Sequence, residues 1–303
     1  MRPVAAGETR LGWIGLGMMG APMCGHLLRA GFAVSVHTRT PERAEAALAA
    51  GARWCDSPRS VAEQSDVVFA MLGFPAEVRE VALGEGGALA GLAAGGAWVD
   101  MTTSEPALAE EIAGAAAARG VHALDAPVSG GDVGAREARL SILVGGDGEA
   151  FEALRPVFEV LGRTVVHQGG SGAGQRAKLA NQILIASTMI GVCEALVFAA
   201  RAGLDCERLL ASVSGGAAGS WSLANLAPRM LAGDFAPGFY VEHFVKDLRI
   251  ALDEAGRARL ELPGLALAER LYAALAEAGG ARDGTQALVR AVAEASGLAW
   301  PPT

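Results

Sequence analysis

Little of this 303-residue chain is charged (19%) or aromatic (5%), and 51% is hydrophobic. The charges sum to 25 − 33 = −8. No surplus of cations exists to hold nucleic acid or an anionic lipid surface, although a local cationic pocket is compatible with that balance. Cys24, Cys55, Cys193 and Cys206 form no Cys-x-x-Cys pair, and no charged leader followed by an apolar stretch opens the chain. Those two absences point to a reducing cytoplasm. His26, His37, His122, His167 and His243 lack metal-ligand spacing, so no metal is expected. The mean hydropathy of +0.32 raises the question of a membrane, but much of the excess is Ala. The longest apolar stretch, Gln182 to Ala200, is interrupted by Ser187, Thr188 and Glu194. A transmembrane span is therefore rejected. Lysine is also scarce, with Arg carrying most of the positive charge.

What is present is length enough for two domains and composition enough for a packed core. From Arg10 to His167, short β-rich runs alternate with helical stretches, the pattern of a parallel sheet covered by helices. The runs are Leu11 to Ile14, Ala33 to His37, Asp66 to Leu72, Ala97 to Asp100, His122 to Ala126, Ser141 to Val144 and Thr164 to Val166. The helical stretches are Met18 to Ala30, Pro41 to Ala50, Ala76 to Leu83, Glu105 to Arg119 and Glu149 to Leu161. The Ala- and Gly-rich tracts Gly84 to Gly96 and Glu277 to Gly284 read as loops. Beyond Gly169-Gly170-Ser171-Gly172-Ala173-Gly174 the β-rich runs stop and helical spacing takes over. The expected organisation is an α/β chain, with a doubly wound sheet in residues 1–170 and an all-α domain in 171–303. Its first helical stretch, Gln175 to Ala202, runs without a breaker for roughly 40 Å at 1.5 Å per residue. A helix apolar on more than one face requires burial on several sides. The expected cover is its own domain and another subunit of a homodimer or homotetramer, the alternative being a helix wholly enclosed within one chain.

Gly15-Leu16-Gly17-Met18-Met19-Gly20 follows the first strand and opens the first helix. Gly-x-Gly-x-x-Gly is weak evidence alone in a chain with 41 glycines, but its place at a strand-to-helix turn raises its weight. There the first glycine permits the turn, the second lets backbone approach a pyrophosphate, and the third lets helix pack on strand. The helix N–H groups then face the anion. After the second strand comes Thr38-Arg39-Thr40, with no carboxylate before Glu42. A cation there suits a ribose 2′-phosphate, so NADP(H) is expected over NAD(H), with NAD(H) possible, Arg39 on the phosphate and Thr38 or Thr40 donating hydroxyls.

Lys178 stands in an apolar helical stretch with Asn181 and Gln182 three and four positions on, and hence on the same face. An ammonium partly withdrawn from water beside two amides is suited to proton transfer, while the bland alternative is a lysine snorkelling to solvent.

Together these residues form four motifs: Gly15-Leu16-Gly17-Met18-Met19-Gly20-Ala21-Pro22-Met23; Asp125-Ala126-Pro127-Val128-Ser129-Gly130-Gly131; Gly172-Ala173-Gly174-Gln175-Arg176-Ala177-Lys178-Leu179-Ala180-Asn181-Gln182; and Lys246-Asp247-Leu248. In order and spacing the chain resembles the β-hydroxyacid dehydrogenase family over essentially its whole length. The resemblance implies a Rossmann-like N-terminal domain, an all-α C-terminal domain and a long interdomain helix. It implies that Ser129, Gly130 and Gly131 bind a substrate carboxylate, that Lys178 is the catalytic acid/base, and that Gln182, on the substrate side with Asn181, orients Lys178 or the substrate. Leu72, Thr103 and Lys246 match cofactor-contacting positions, and Phe239 and Asp247 match substrate-lining ones. Thr38 stands where the family usually has Asn or Asp, Leu72-Gly73 where it has Leu-Pro, and Gln182 where many members have Asn. Ser214 to Trp221 reads either as a substrate-side loop or, for Trp221, as a core anchor. The expected activity is reduction of a small oxo-carboxylate, a semialdehyde or glyoxylate, or the reverse oxidation of the hydroxy acid. An imine reductase-like enzyme and a non-catalytic cofactor-binding relative are the alternatives. Imine reductases generally lack a lysine at the position of Lys178, and a dead relative would have lost it or the Ser-Gly-Gly segment.

Overall fold

The computed structural model describes residue 1 and residues 3–302. The chain divides into two compact units, Met1–Lys178 and Leu179–Thr303.

The first unit is built on a nine-stranded sheet: β1 (Arg10–Ile14), β2 (Ala33–His37), β3 (Arg53–Trp54), β4 (Val67–Ala70), β5 (Ala97–Asp100), β6 (His122–Asp125), β7 (Val128–Ser129), β8 (Leu140–Gly146) and β9 (Gly162–Gly169). Strands β3-β2-β1-β4-β5-β6 are parallel neighbours in that order, the signature of a doubly wound fold. Every residue of β4 and β5 is buried, because helices cover both faces of the sheet. Trp13 stacks on Phe69 at 5.8 Å, and Phe69 meets Phe158 edge-on at 6.2 Å, centring one of the two core layers.

The sheet is not parallel throughout. Strand β8 runs antiparallel to β6 and β7 and parallel to β9. Between β7 and β8 there is only the short helix Gly131–Arg136, too little chain for a right-handed crossover, so the strand returns antiparallel. Two further corrections concern short elements. The tract Gly84 to Gly96 contains the helix Ala88–Gly91, and Gly280–Arg282 forms a 3₁₀ turn.

The second unit is helical. The long helix Ala173–Arg201 begins in the first unit and continues into the second, followed by Cys206–Val213, Trp221–Asn225, Ala227–Leu231, Val241–Arg257, Pro263–Glu277 and Leu288–Ala295. Among the described residues the long helix is the one whose length and mean hydropathy, 2.1 over its most apolar window, would reach across a bilayer. Core helices of this length have the same composition, and this one carries the buried polar residues Gln175, Lys178 and Gln182. Along its outer face Leu184 and Phe198 remain 71% and 70% exposed. Trp221 is 61% exposed, which removes the core-anchor reading of that residue. All four cysteines are free and buried, and burial pushes the Cys24 thiol up to about 12.

Candidate active site

The glycine turn leaves β1 at the centre of the parallel strands. Gly15 has φ +95°, and a Cβ on it would stand 2.3 Å from the Met71 carbonyl oxygen. A Cβ on Gly20 would stand 2.1 Å from the Gly15 carbonyl oxygen. These two glycines are required by the protein's own packing. Gly17 is not, because a Cβ there would meet nothing nearer than the Arg43 guanidinium at 4.0 Å. The backbone at Gly17 is thus open to close approach by a ligand. The helix Gly20–Arg29 starts at Met19 with no side-chain cap and no acid in its first turn, a start that favours an anion, although its Ala21 N–H already donates to the Gly17 carbonyl at 3.0 Å. Arg43 adds a cation next to the turn. This donor set fits a dinucleotide pyrophosphate. Of the other turn residues, Leu16 is 2% exposed with its side chain in the core, so only its backbone can face a ligand, whereas Met18 is exposed and Met19 half-buried.

At the carboxyl end of β2, Thr38 is buried while Arg39 and Thr40 are exposed. Arg39 Nη1 donates to Glu77 Oε1 at 2.6 Å. Burial pushes the Glu77 carboxyl up, but the Gly73 N–H, Arg39 and the Phe74 N–H together carry it below the usual carboxylate range. Beyond β4, the Leu72 N–H donates to Thr102 Oγ1 at 2.9 Å, and the Thr102 N–H donates to Asp100 Oδ1 at 2.9 Å. The loops after β4 and β5 are thereby tied together, with Leu72 and Thr103 half-buried on them.

The start of the long helix is fixed by two buried side chains. Asp125, at the end of β6, accepts from the N–H groups of Gly172 and Gln175, both at 2.8 Å, and so caps the helix. Burial pushes its carboxyl up to about 6, against these two N–H groups and the more distant Arg176. Gln175, fully buried, accepts from the Ser104 N–H at 2.9 Å and donates to the Thr102 carbonyl at 2.7 Å. Lys178 follows one turn later, 6% exposed. Ser129 ends β7, and Gly130 and Gly131, with φ of +138° and +62°, begin the next helix without a side-chain cap.

In the second unit, Asn181 Nδ2 donates to Gln182 Oε1 at 2.8 Å, and Gln182 Nε2 donates to Asp247 Oδ2 at 2.6 Å. Lys246 Nζ lies 3.0 Å from Asp247 Oδ1, off-axis for a hydrogen bond, so that oxygen is ion-paired without accepting one. Asp247 is fully buried and Gln182 1% exposed. Phe239 packs edge-on against His243 and Phe244, in the first turn of the helix that carries Lys246 and Asp247. Burial, and then the charge of Lys246, push the His243 imidazole below its usual value.

Residues 10–170 match the family model described as the NAD binding domain of 6-phosphogluconate dehydrogenase. Residues 172–292 match the one described as NAD-binding of NADP-dependent 3-hydroxyisobutyrate dehydrogenase. The chain belongs to the β-hydroxyacid dehydrogenase family. It is an NAD(P)-dependent hydroxyacid dehydrogenase or reductase. It is 53% identical over 290 residues to a probable mitochondrial 3-hydroxyisobutyrate dehydrogenase-like protein of Arabidopsis thaliana, covering 95% of this chain and 86% of the relative. It is 41% identical to the 2-hydroxy-3-oxopropionate reductase of Escherichia coli, over 93% of this chain and 97% of that one. The solved structure of a Mycobacterium tuberculosis 3-hydroxyisobutyrate dehydrogenase with L-serine superposes with a TM-score of 0.86 at 32% identity, covering 94% of this chain and 99% of that one.

Within this dehydrogenase, sequence reasoning passed over Arg43, Glu77, Asp125 and Gln175. Asp125 and Gln175 stand inside quoted motifs, yet their partners lie 47 to 73 residues away, beyond any local spacing rule. Arg43 and Glu77 carry no motif signal at all. Only the fold brings them to the end of the sheet where the glycine turn lies.

Proposed function

We propose that this dehydrogenase interconverts a small oxo-carboxylate, a semialdehyde or glyoxylate, and the corresponding hydroxy acid, with NADP(H) preferred and Lys178 as the proton-transfer group. The observation that carries the reading is Lys178 itself, 6% exposed on a helix face shared with Asn181 and Gln182. A lysine withdrawn from water at that position has the chemistry of an acid/base group rather than of a solvated surface charge. The reductase of Escherichia coli, whose name specifies 2-hydroxy-3-oxopropionate, supports the substrate class. Arg39 and the description of the second family model support the cofactor preference.

In this reading the backbone around Gly15, Gly17 and Gly20, with Leu16, Met18 and Met19, holds the dinucleotide pyrophosphate. Thr38, Arg39 and Thr40 meet its ribose, and Leu72, Thr103 and Lys246 bind the rest. The nicotinamide, when bound, supplies or takes the hydride. Ser129 with the Gly130 and Gly131 amides binds the substrate carboxylate through a hydroxyl and backbone donors. Lys178 Nζ gives a proton to the carbonyl oxygen as that carbon is reduced, and takes it back in the oxidation. Gln182 and Asn181 orient the substrate, and Asp247 holds Gln182; Phe239 contributes an apolar wall.

A panel of glyoxylate, succinic semialdehyde, tartronate semialdehyde and methylmalonate semialdehyde with NADPH and with NADH tests the proposal. Oxidation of NADPH by at least one is expected. A silent panel from protein that binds NADPH in a direct titration would refute it.

We further propose a homodimer or homotetramer that uses the long helix. Leu184 and Phe198 are two heptads apart, hence on nearly the same face and roughly 21 Å apart along the axis. They flank an exposed face whose middle, Ser187, Gly191 and Ala195, carries only small side chains, with Glu194 its one charge, so that a second helix can lie close along it. Light scattering should show an oligomer, and Leu184→Glu with Phe198→Glu should dissociate it; a monomeric wild type would end this reading.

A further inference from the structure

The sequence places no carboxylate after β2 before Glu42, although the ribose hydroxyls of an unphosphorylated dinucleotide are ordinarily met there by an acid. The fold brings one from the next strand but one. Glu77 is the third residue of the helix Pro75–Leu83, and its Oε2 accepts from the N–H groups of Gly73 at 3.0 Å and Phe74 at 3.3 Å. That is the acidic half of a capping box, and it pins the carboxylate at the helix start. The remaining oxygen, Oε1, accepts from Arg39 Nη1 at 2.6 Å.

The two partners differ in how firmly they are held. The Glu77 side chain is 26% exposed and the Arg39 side chain 86%. Glu77 is therefore the fixed member and Arg39 the arm that reaches to it. Since β1 lies between β2 and β4, a pair with one member after β2 and the other after β4 spans the carboxyl end of β1, where the glycine turn begins. An ion pair with one partner so exposed is weak, and a competing anion opens it readily.

We infer that Glu77 is a positioning and specificity-determining residue for the cofactor: it holds Arg39 across the adenosine end of the cleft, opposes a ribose 2′-phosphate, and offers an acceptor to a ribose 2′-hydroxyl. The inference rests on the proposed role of Arg39 at the ribose. Its chemistry is simple. A 2′-phosphate must draw Arg39 away from a fixed carboxylate and then sit near that like charge. A 2′-hydroxyl meets no repulsion, and finds an acceptor on the same oxygen. NADPH preference in this chain is thus the outcome of Arg39 acting against Glu77, and its strictness is set by Glu77.

The test is direct fluorescence titration of NADPH and NADH into wild type, Glu77→Gln and Arg39→Ala, with apo-protein melting alongside. Gln keeps the cap and removes the charge. Glu77→Gln is expected to raise the NADPH-to-NADH affinity ratio on the order of tenfold, as for one charge-assisted contact, with little change in melting. Glu77→Ala, which also drops the cap, should shift the ratio the same way at a lower melting temperature. If Arg39→Ala is selective against NADPH while both Glu77 variants change the two affinities by the same factor, the assignment of Glu77 is overturned alone. If Arg39→Ala weakens both cofactors equally, it is the reading of Arg39 that falls.

Discussion

The two ends of the proposed chemistry are made in different ways. In the first unit the phosphate turn is built from backbone: two glycines that the protein's own atoms require, a third that leaves open space, and an uncapped helix start. In the second unit the Asn181–Gln182–Asp247–Lys246 chain is built entirely from side chains, with its central bond joining residues 65 apart. Backbone sites are written in local sequence because each glycine answers a local steric demand. Side-chain networks are written in tertiary structure, and local spacing is silent about them. The contrast also extends to the cost of change, since a buried ionic network fails abruptly when one member is lost.

The largest effect is expected in the second unit. Asp247→Ala removes a fully buried carboxylate that accepts from Gln182 Nε2 and pairs with the Lys246 ammonium, 11% exposed. Urea unfolding should show a loss of about 3–5 kcal/mol. A loss near zero would mean that the network is solvated in solution and that the contrast drawn above is false.

Next come the glycines, which separate fold from ligand. Gly20→Ala forces a Cβ to 2.1 Å from a carbonyl oxygen and should cost about 1–3 kcal/mol of stability or more. Gly17→Ala meets only Arg43, at 4.0 Å, and should leave melting nearly unchanged while weakening NADPH in a titration. Equal losses of stability in the two variants would remove Gly17 from the phosphate site.

The smallest effect concerns pH. A carboxyl whose folded value is raised to about 6 contributes stability that is fully present below its ordinary value near 4 and is lost as pH rises through 6. Asp125→Asn cannot titrate, so wild type should lose ground to the variant in melting temperature between pH 4 and pH 7. The opposite slope would show that the Gly172 and Gln175 N–H groups outweigh burial.

Much of this was legible in the sequence. Strand β2 falls on the apolar run Ala33 to His37, and the helix expected over Gln175 to Ala202 forms over Ala173–Arg201. Both follow from long, uniform patterns. Strands β3 and β7 were not legible, being two residues each and defined by their partners rather than by their composition. The helix Pro58–Glu63 is too short to carry an apolar period, although Ser57-Pro58 is a strong start signal, with Ser57 Oγ accepting from the Ser60 N–H at 3.1 Å. In the site, the glycine turn and the helix face shared by Lys178, Asn181 and Gln182 could be read from physics, whereas Ser129, Gly130, Gly131, Phe239 and Asp247 came only through family resemblance. Glu77 came from neither, because helix Pro75–Leu83 and the end of β2 meet only when β1 is placed between their strands. Lysine scarcity was the most economical clue: the only two lysines, Lys178 and Lys246, both stand in the motifs.

Lys178→Ala tests the central claim most directly, with turnover and NADPH affinity measured on the same preparation. Loss of a proton-transfer group should lower kcat by about 10²–10⁴-fold and leave NADPH affinity within a few-fold of wild type. A variant that turns over at the wild-type rate would contradict the assignment of Lys178.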